Sequence, residues 1–211
     1  MTYRLHLVLL TVLTVLAAPL ALSLACDRAL ESGSTDTAHA RATSPGIVDS
    51  VFPPEEALRR FREGLPLVSE LGNAEATRDA LVRRFVYAIE ESDTAALRSM
   101  VMTRAEFAYL YYPTSPHARP PAQQPPALVW FLHTQNSEKG VARALARFGG
   151  RSLDVRGYSC DSRPRVEGSN TIWDDCRLHI GASGDTSSIC LFGGVIERER
   201  RFKLLSYSND L

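Results

Sequence analysis

The stretch 141–160, VARALARFGGRSLDVRGYSC, decides the fold. Up to Phe148 its apolar residues Val141, Leu145 and Phe148 recur at three- and four-residue spacing, which is one face of a helix. Gly149-Gly150 stops that helix, because glycine accepts the left-handed conformation in which helices commonly end. Beyond Gly150 the period becomes two. Leu153 and Val155 alternate with Asp154 and Arg156, as in a strand buried on one face. Helical periodicity therefore lies before this switch and strand periodicity after it.

Working back toward the N-terminus, residues 127–148 form the last helix, with Asn136-Ser137 and Gly140 as points where it could break in two. Before it lies the loop 113–126, PTSPHARPPAQQPP, which holds 6 of the chain's 12 prolines and admits neither a helix nor a central strand. Thr103-Arg104-Ala105-Glu106 fits a capping box, in which the threonine side chain and the glutamate each satisfy a backbone N–H of the first turn. Ser92 or Asp93 caps a helix carrying Leu97, Met100 and Val101. Residues 75–91 form a longer amphipathic helix with Leu81, Phe85, Ala88 and Ile89 on its apolar face. Residues 54–65 form a short one, with Pro54 in the first turn and Leu58, Phe61 and Leu65 on one side.

Toward the C-terminus, Ile172, Leu178 and Ile180 continue the alternation, followed by 187–195 and 199–207, giving four strands in all. Tight turns between them predict an antiparallel meander. Helices followed by strands make an α+β fold, with N-terminal helices packed on a curved sheet of about four antiparallel strands. The expected domain is 51–211.

The ends of the chain differ from this domain. Arg4 is the first charge, Leu5–Ala25 is almost wholly apolar, and small residues precede Cys26: the three parts of a secretory signal. Leu22-Ser23-Leu24-Ala25-Cys26 resembles the lipobox of bacterial lipoproteins, which implies a signal peptide at 1–25 and lipid chains on Cys26 as the new N-terminus. A plain signal peptide and an uncleaved anchor helix are the alternatives, since roughly 20 apolar residues can span a bilayer. Residues 26–50 are polar and rich in Ser, Thr and Ala, a flexible tether with a reach on the order of 25–30 Å. The expected location is the bacterial cell envelope, lipid-anchored and facing the periplasm or exterior, with the membrane as partner through Cys26. Lys and Arg together number 24 against 24 Asp and Glu, so no net field draws the chain to nucleic acid.

Leu81-Val82-Arg83-Arg84-Phe85, the acidic-capped Asp93-Thr94-Ala95-Ala96-Leu97 and the closing Arg201-Phe202-Lys203-Leu204-Leu205-Ser206-Tyr207 together resemble the nuclear-transport-factor-2-like superfamily, over residues 76–211. The resemblance implies a cone, a curved sheet wrapped round helices with a pocket at its open end. The proline loop and the helix at 54–65 depart from that pattern.

Lipidation of Cys26 leaves three cysteines. A hairpin centred on Gly168 sets Cys160 opposite Cys176, provided a bulge near Ser159 turns Cys160 to the right face. A Cys176–Cys190 bridge and three free thiols remain open. No C-x-x-C or H-x-x-x-H pair occurs, so no metal is expected, and no cofactor motif is present.

The superfamily hosts enzymes and binding modules alike. A lyase or isomerase acting on a small apolar substrate would need a carboxylate or histidine in the pocket. Asp93, His133, Asp154, Asp174, Asp175 and His179 are the candidates, and His133 is the foremost. Asp174 and Asp175, adjacent on a strand, would point to opposite faces. Aromatic residues flank the proline loop, and Phe85, Tyr109, Tyr112 and Trp130 are the expected pocket lining, with a packed core plug as the competing role. The primary expectation is a binding or protein-interaction module for a small apolar ligand or an envelope protein, with enzymatic activity the alternative.

Overall fold

The computed structural model describes residues 52–182 and 185–211. The signal peptide expected at 1–25, Cys26 and the tether at 26–50 lie outside them. The fold is α+β. Its helices are α1 (Pro54–Arg62), α2 (Arg78–Glu90), α3 (Thr94–Met100), α4 (Arg104–Glu106) and α5 (Pro126–Phe148). Its strands are β1 (Val155–Ser159), β2 (Arg165–Glu167), β3 (Asn170–Asp174), β4 (Arg177–Ala182), β5 (Asp185–Ile189), β6 (Gly194–Arg198) and β7 (Arg201–Ser206).

The caps follow the sequence closely. Asp93, not Ser92, caps α3 by accepting from the Ala96 N–H at 2.9 Å. Both halves of the capping box form at α4: Glu106 N–H donates to Thr103 Oγ1, and Thr103 N–H donates to Glu106 Oε2 at 2.6 Å. A π-helical turn, Phe107–Tyr111, continues from α4 and leads into the proline loop. The helix expected from 75 begins later, at Arg78 with Thr77 as its cap, because Glu75 is bonded in both directions to Phe202 beside β7. Helix α5 is continuous, so the break considered at Ser137 and Gly140 does not occur.

The sheet differs from the single meander of about four strands. Among the described residues there are two antiparallel sheets, of order β1-β4-β5 and β2-β3-β6-β7. Three features subdivide the expected strands. Asp175, with φ 44°, separates β3 from β4. Glu199 and Arg200, with φ 52° and 59°, form the turn of the β6–β7 hairpin. The stretch 190–193 breaks the strand expected over 187–195 and carries the chain from β5 back to the other sheet. The hairpin expected about Gly168 is present as β2–β3, which belongs to the four-stranded sheet.

Two clusters form the core. One joins α2, α3 and α5 to Leu178, Val195 and Leu204. The other gathers Phe61, Phe107, Tyr111 and Tyr112 under α1 and the π turn, against Ile172 and Ile196. Val195 and Ile196 are consecutive on β6, so they face opposite sides, and both are fully buried. The four-stranded sheet is therefore covered on both faces at β6, where the sequence suggested one covered face. Between the elements of the second cluster sits a buried ion pair. Lys203 Nζ donates to both oxygens of Glu106, at 2.8 and 2.9 Å, and to the Gly72 carbonyl at 2.7 Å.

Cys160 and Cys176 form a disulfide. The partners β1 and β4 carry the register Tyr158↔Leu178 and Ser159↔Arg177, and one further step sets Cys160 against Cys176. An irregularity of the required kind is present, between Val155 and Gly157 and not near Ser159. Cys190 keeps a free thiol, half-buried, whose acidity is weakened chiefly by burial.

Candidate functional site

A cleft of about 520 Å³ opens between α3, the 101–104 connector and α5. Its walls follow helical spacing. Leu97 and Val101 come from the α3 side, and Trp130, Val141 and Leu145 from α5. Its floor is Tyr207, whose hydroxyl donates to the Leu97 carbonyl at 2.7 Å and whose backbone N–H donates to Ser137 Oγ at 3.0 Å. Burial raises the pKa of that phenol well above its ordinary value, so it stays protonated. Gly140 allows this floor to form. A Cβ there would stand 1.6 Å from the Tyr207 carbonyl oxygen, so only glycine lets the C-terminal segment lie against α5.

His133 lines the cleft. Its ring stacks on Trp130, with centroids 5.7 Å apart and an interplanar angle of 23°, and lies 6.2 Å from the Phe107 ring. Burial pushes its pKa below the ordinary histidine value, with the Leu205 backbone acting in the opposite direction. Its Nε2 is buried and has no hydrogen-bond partner among the described residues, and the same holds for Oγ1 of Thr134 beside it. Both residues line the cleft. An unpaired buried polar atom costs about 1–3 kcal/mol, so these two atoms are the chemical signature of the site. The rim carries Arg98, Arg104 and Glu138, and none of the three makes a salt bridge among the described residues.

The remaining sequence candidates fall elsewhere. Phe85 is fully buried in the first core cluster, edge-on to Phe192 and stacked on Tyr207, so it packs behind the floor. Tyr112 is buried in the second cluster and donates its hydroxyl to the Gln124 carbonyl at 2.7 Å, holding the proline loop. Tyr109 packs at the edge of the same cluster, beneath the Arg62 guanidinium at 4.6 Å. Of the four expected lining residues, Trp130 alone lines the cleft. The aromatic cluster is mainly the core plug that competed with a pocket role.

Among the acid–base candidates, Asp93 is the α3 cap. Asp154 and Asp175 are exposed and pair with Arg156 and Arg177, while Asp174, at the end of β3, pairs with Arg165 at 2.6 Å. His179 meets Ser159 Oγ across the β1–β4 pair at 3.1 Å. Thr134, Arg98 and Arg104 were not singled out from the sequence. The available signal was the polar run His133, Thr134, Ser137 on an otherwise apolar helical stripe of α5. Among the described residues no cluster of His, Cys, Asp and Glu is arranged to hold a metal, and no helix is long and apolar enough to cross a membrane.

No family model, curated protein or solved structure matches the chain.

Proposed function

We propose that this chain is a membrane-tethered, extracytoplasmic lipoprotein whose nuclear-transport-factor-2-like domain binds a small, largely apolar molecule in the cleft between α3 and α5. The observation that carries the reading is an apolar cleft of ligand size with His133 Nε2 and Thr134 Oγ1 buried in its wall and unpartnered. Neither atom is open to the cleft, so a hydroxyl or carbonyl group of a ligand would reach them only after a turn of the His133 or Thr134 side chain. The Cys160–Cys176 bridge supports an oxidising compartment, where such bonds persist. The lipobox-like residues before Cys26 support the tether. The superfamily reading rests on helices that lead into antiparallel strands over residues 76–211; the division into two sheets sets this chain apart from a single-sheet cone.

Trp130 gives the test, because its ring lines the cleft beside His133. Titration with medium-chain alcohols and ketones is expected to shift its fluorescence saturably, and His133→Leu to weaken that binding about tenfold, the equivalent of ~1.4 kcal/mol. Absence of any saturable shift across the panel would refute the binding reading. For the tether, mass spectrometry of the membrane-bound protein is expected to find Cys26 as the N-terminal residue, carrying lipid chains. A membrane-bound chain that retains residues 1–25 would favour the uncleaved anchor instead.

The buried, neutral histidine also favours a second reading, a lyase or isomerase with His133 as general base. Binding with turnover that disappears in His133→Gln would establish it. Its ring has no carboxylate partner among the described residues, so the binding module ranks first.

A further inference from the structure

We infer that the ligand class of this cleft is an amphipathic anion, a single hydrocarbon chain ending in a carboxylate or phosphate, with Arg98 and Arg104 as the residues that select its charge. The inference rests on the cleft being a ligand site. The interior is apolar, walled by Leu97, Val101, Val141 and Leu145. The rim is cationic. Arg98, from the exposed side of α3, and Arg104, from the first turn of α4, both border the opening, against one carboxylate, Glu138.

Six of the 19 arginines of this domain are tied up in ion pairs. Arg59, Arg60, Arg84, Arg156, Arg165 and Arg177 all meet carboxylates. Arg98 and Arg104 have no such partner among the described residues, and Arg104 is held only by stacking over the Phe61 ring at 4.6 Å. Glu138 lies within neither guanidinium's salt-bridge reach, so the opening keeps an excess of positive charge. An apolar channel bordered by two arginines that lack carboxylate partners complements a molecule with an apolar body and an anionic end. Guanidinium binds carboxylate and phosphate through the same forked geometry, so the two heads share one recognition chemistry.

The experiment compares four amphiphiles of equal chain length on the purified full chain, each below its micellar concentration: dodecanoate, dodecyl phosphate, dodecanol and dodecyltrimethylammonium. Trp130 fluorescence is the readout. Both anions are expected to bind about tenfold more tightly than dodecanol, a modest factor because the rim is solvent-exposed. Added salt is expected to erase much of the difference. The double variant Arg98→Gln/Arg104→Gln is expected to bring the anions to the level of dodecanol and leave dodecanol unchanged. The stronger of the two anions in the wild type identifies the head group. Equal binding of dodecanol and dodecanoate, or anion preference undiminished in the double variant, would overturn the charge selection while the cleft reading stands. If all four amphiphiles fail to perturb Trp130, both fall.

Discussion

At the scale of the residue, two buried polar groups set expectations of opposite kinds. His133 is neutral because burial disfavours its charged form. Its folded pKa lies below the unfolded value of 6.5, so as pH falls through that value the unfolded chain takes up a proton that the folded chain refuses. Stability is therefore full above that value and declines below it. Denaturant midpoints taken from about pH 7 down to about pH 5 should fall in the wild type more than in His133→Gln; parallel curves would show that the ring titrates freely. Lys203 represents the opposite case. It is 1% exposed, and its ammonium compensates Glu106, which also closes the α4 capping box and receives the Gly72 N–H at 2.7 Å. Lys203→Met leaves that carboxylate buried without its counter-charge, and urea unfolding should show a loss of about 3–5 kcal/mol. Adding Glu106→Gln to Lys203→Met should restore part of the loss, since the uncompensated charge is then gone. This pair is not legible in the chain, because Lys203 reads as an ordinary polar position of an alternating strand, and its partner is 97 residues away.

At the scale of the element, what could be read from the chain was what is decided locally. The α4 box and the α3 cap are contacts across three residues, and both formed as their residues demanded. The strand ends were harder, because three of the residues that turn the chain with positive φ are Asp175, Glu199 and Arg200, none of them glycine. Gly140 is hard to read from the chain for a related reason. Glycine inside a helix reads as a weakness of about 1 kcal/mol relative to alanine, yet here it is a contact surface for the Tyr207 carbonyl. Helix propensity favours Gly140→Ala, whereas the close approach forbids it. The overlap at 1.6 Å involves backbone atoms on both sides and cannot be relieved by a rotamer change. Gly140→Ala should therefore lower stability by about 1–3 kcal/mol, the usual cost of overpacking, and should loosen the cleft floor. Thermal unfolding reads the first effect and Trp130 fluorescence the second; a variant more stable than wild type would mean that α5 and residue 207 are not in contact.

At the scale of the whole molecule, the point least legible in the sequence is the split into two sheets, since alternation records that a residue faces a core but not which core. Leu178 and Ile180 alternate like Ile172, yet they belong to β4 in the three-stranded sheet and Ile172 to β3 in the other. The disulfide marks where the chain changes sheets. It leaves β1 at Cys160, builds the β2–β3 hairpin of the four-stranded sheet, and returns to β4 just after Cys176. The Asp161 N–H still donates to the Asp174 carbonyl at 2.9 Å, so the bridge lies at the neck of the excursion. A loop of this length, its cysteines 16 positions apart, restricts the unfolded chain by about 3 kcal/mol. The cleft between α3 and α5 lies on other elements, and none of its lining residues falls within 161–175. Cys160→Ser/Cys176→Ser should therefore separate stability from binding. Unfolding free energy should drop by about 3 kcal/mol, and amide exchange should quicken over 161–175. Ligand affinity measured at Trp130 should stay unchanged under conditions where the variant is folded. Loss of affinity in step with the faster exchange would mean that the hairpin and the cleft open as one cooperative unit, and that the bridge maintains the binding site as well as the sheet.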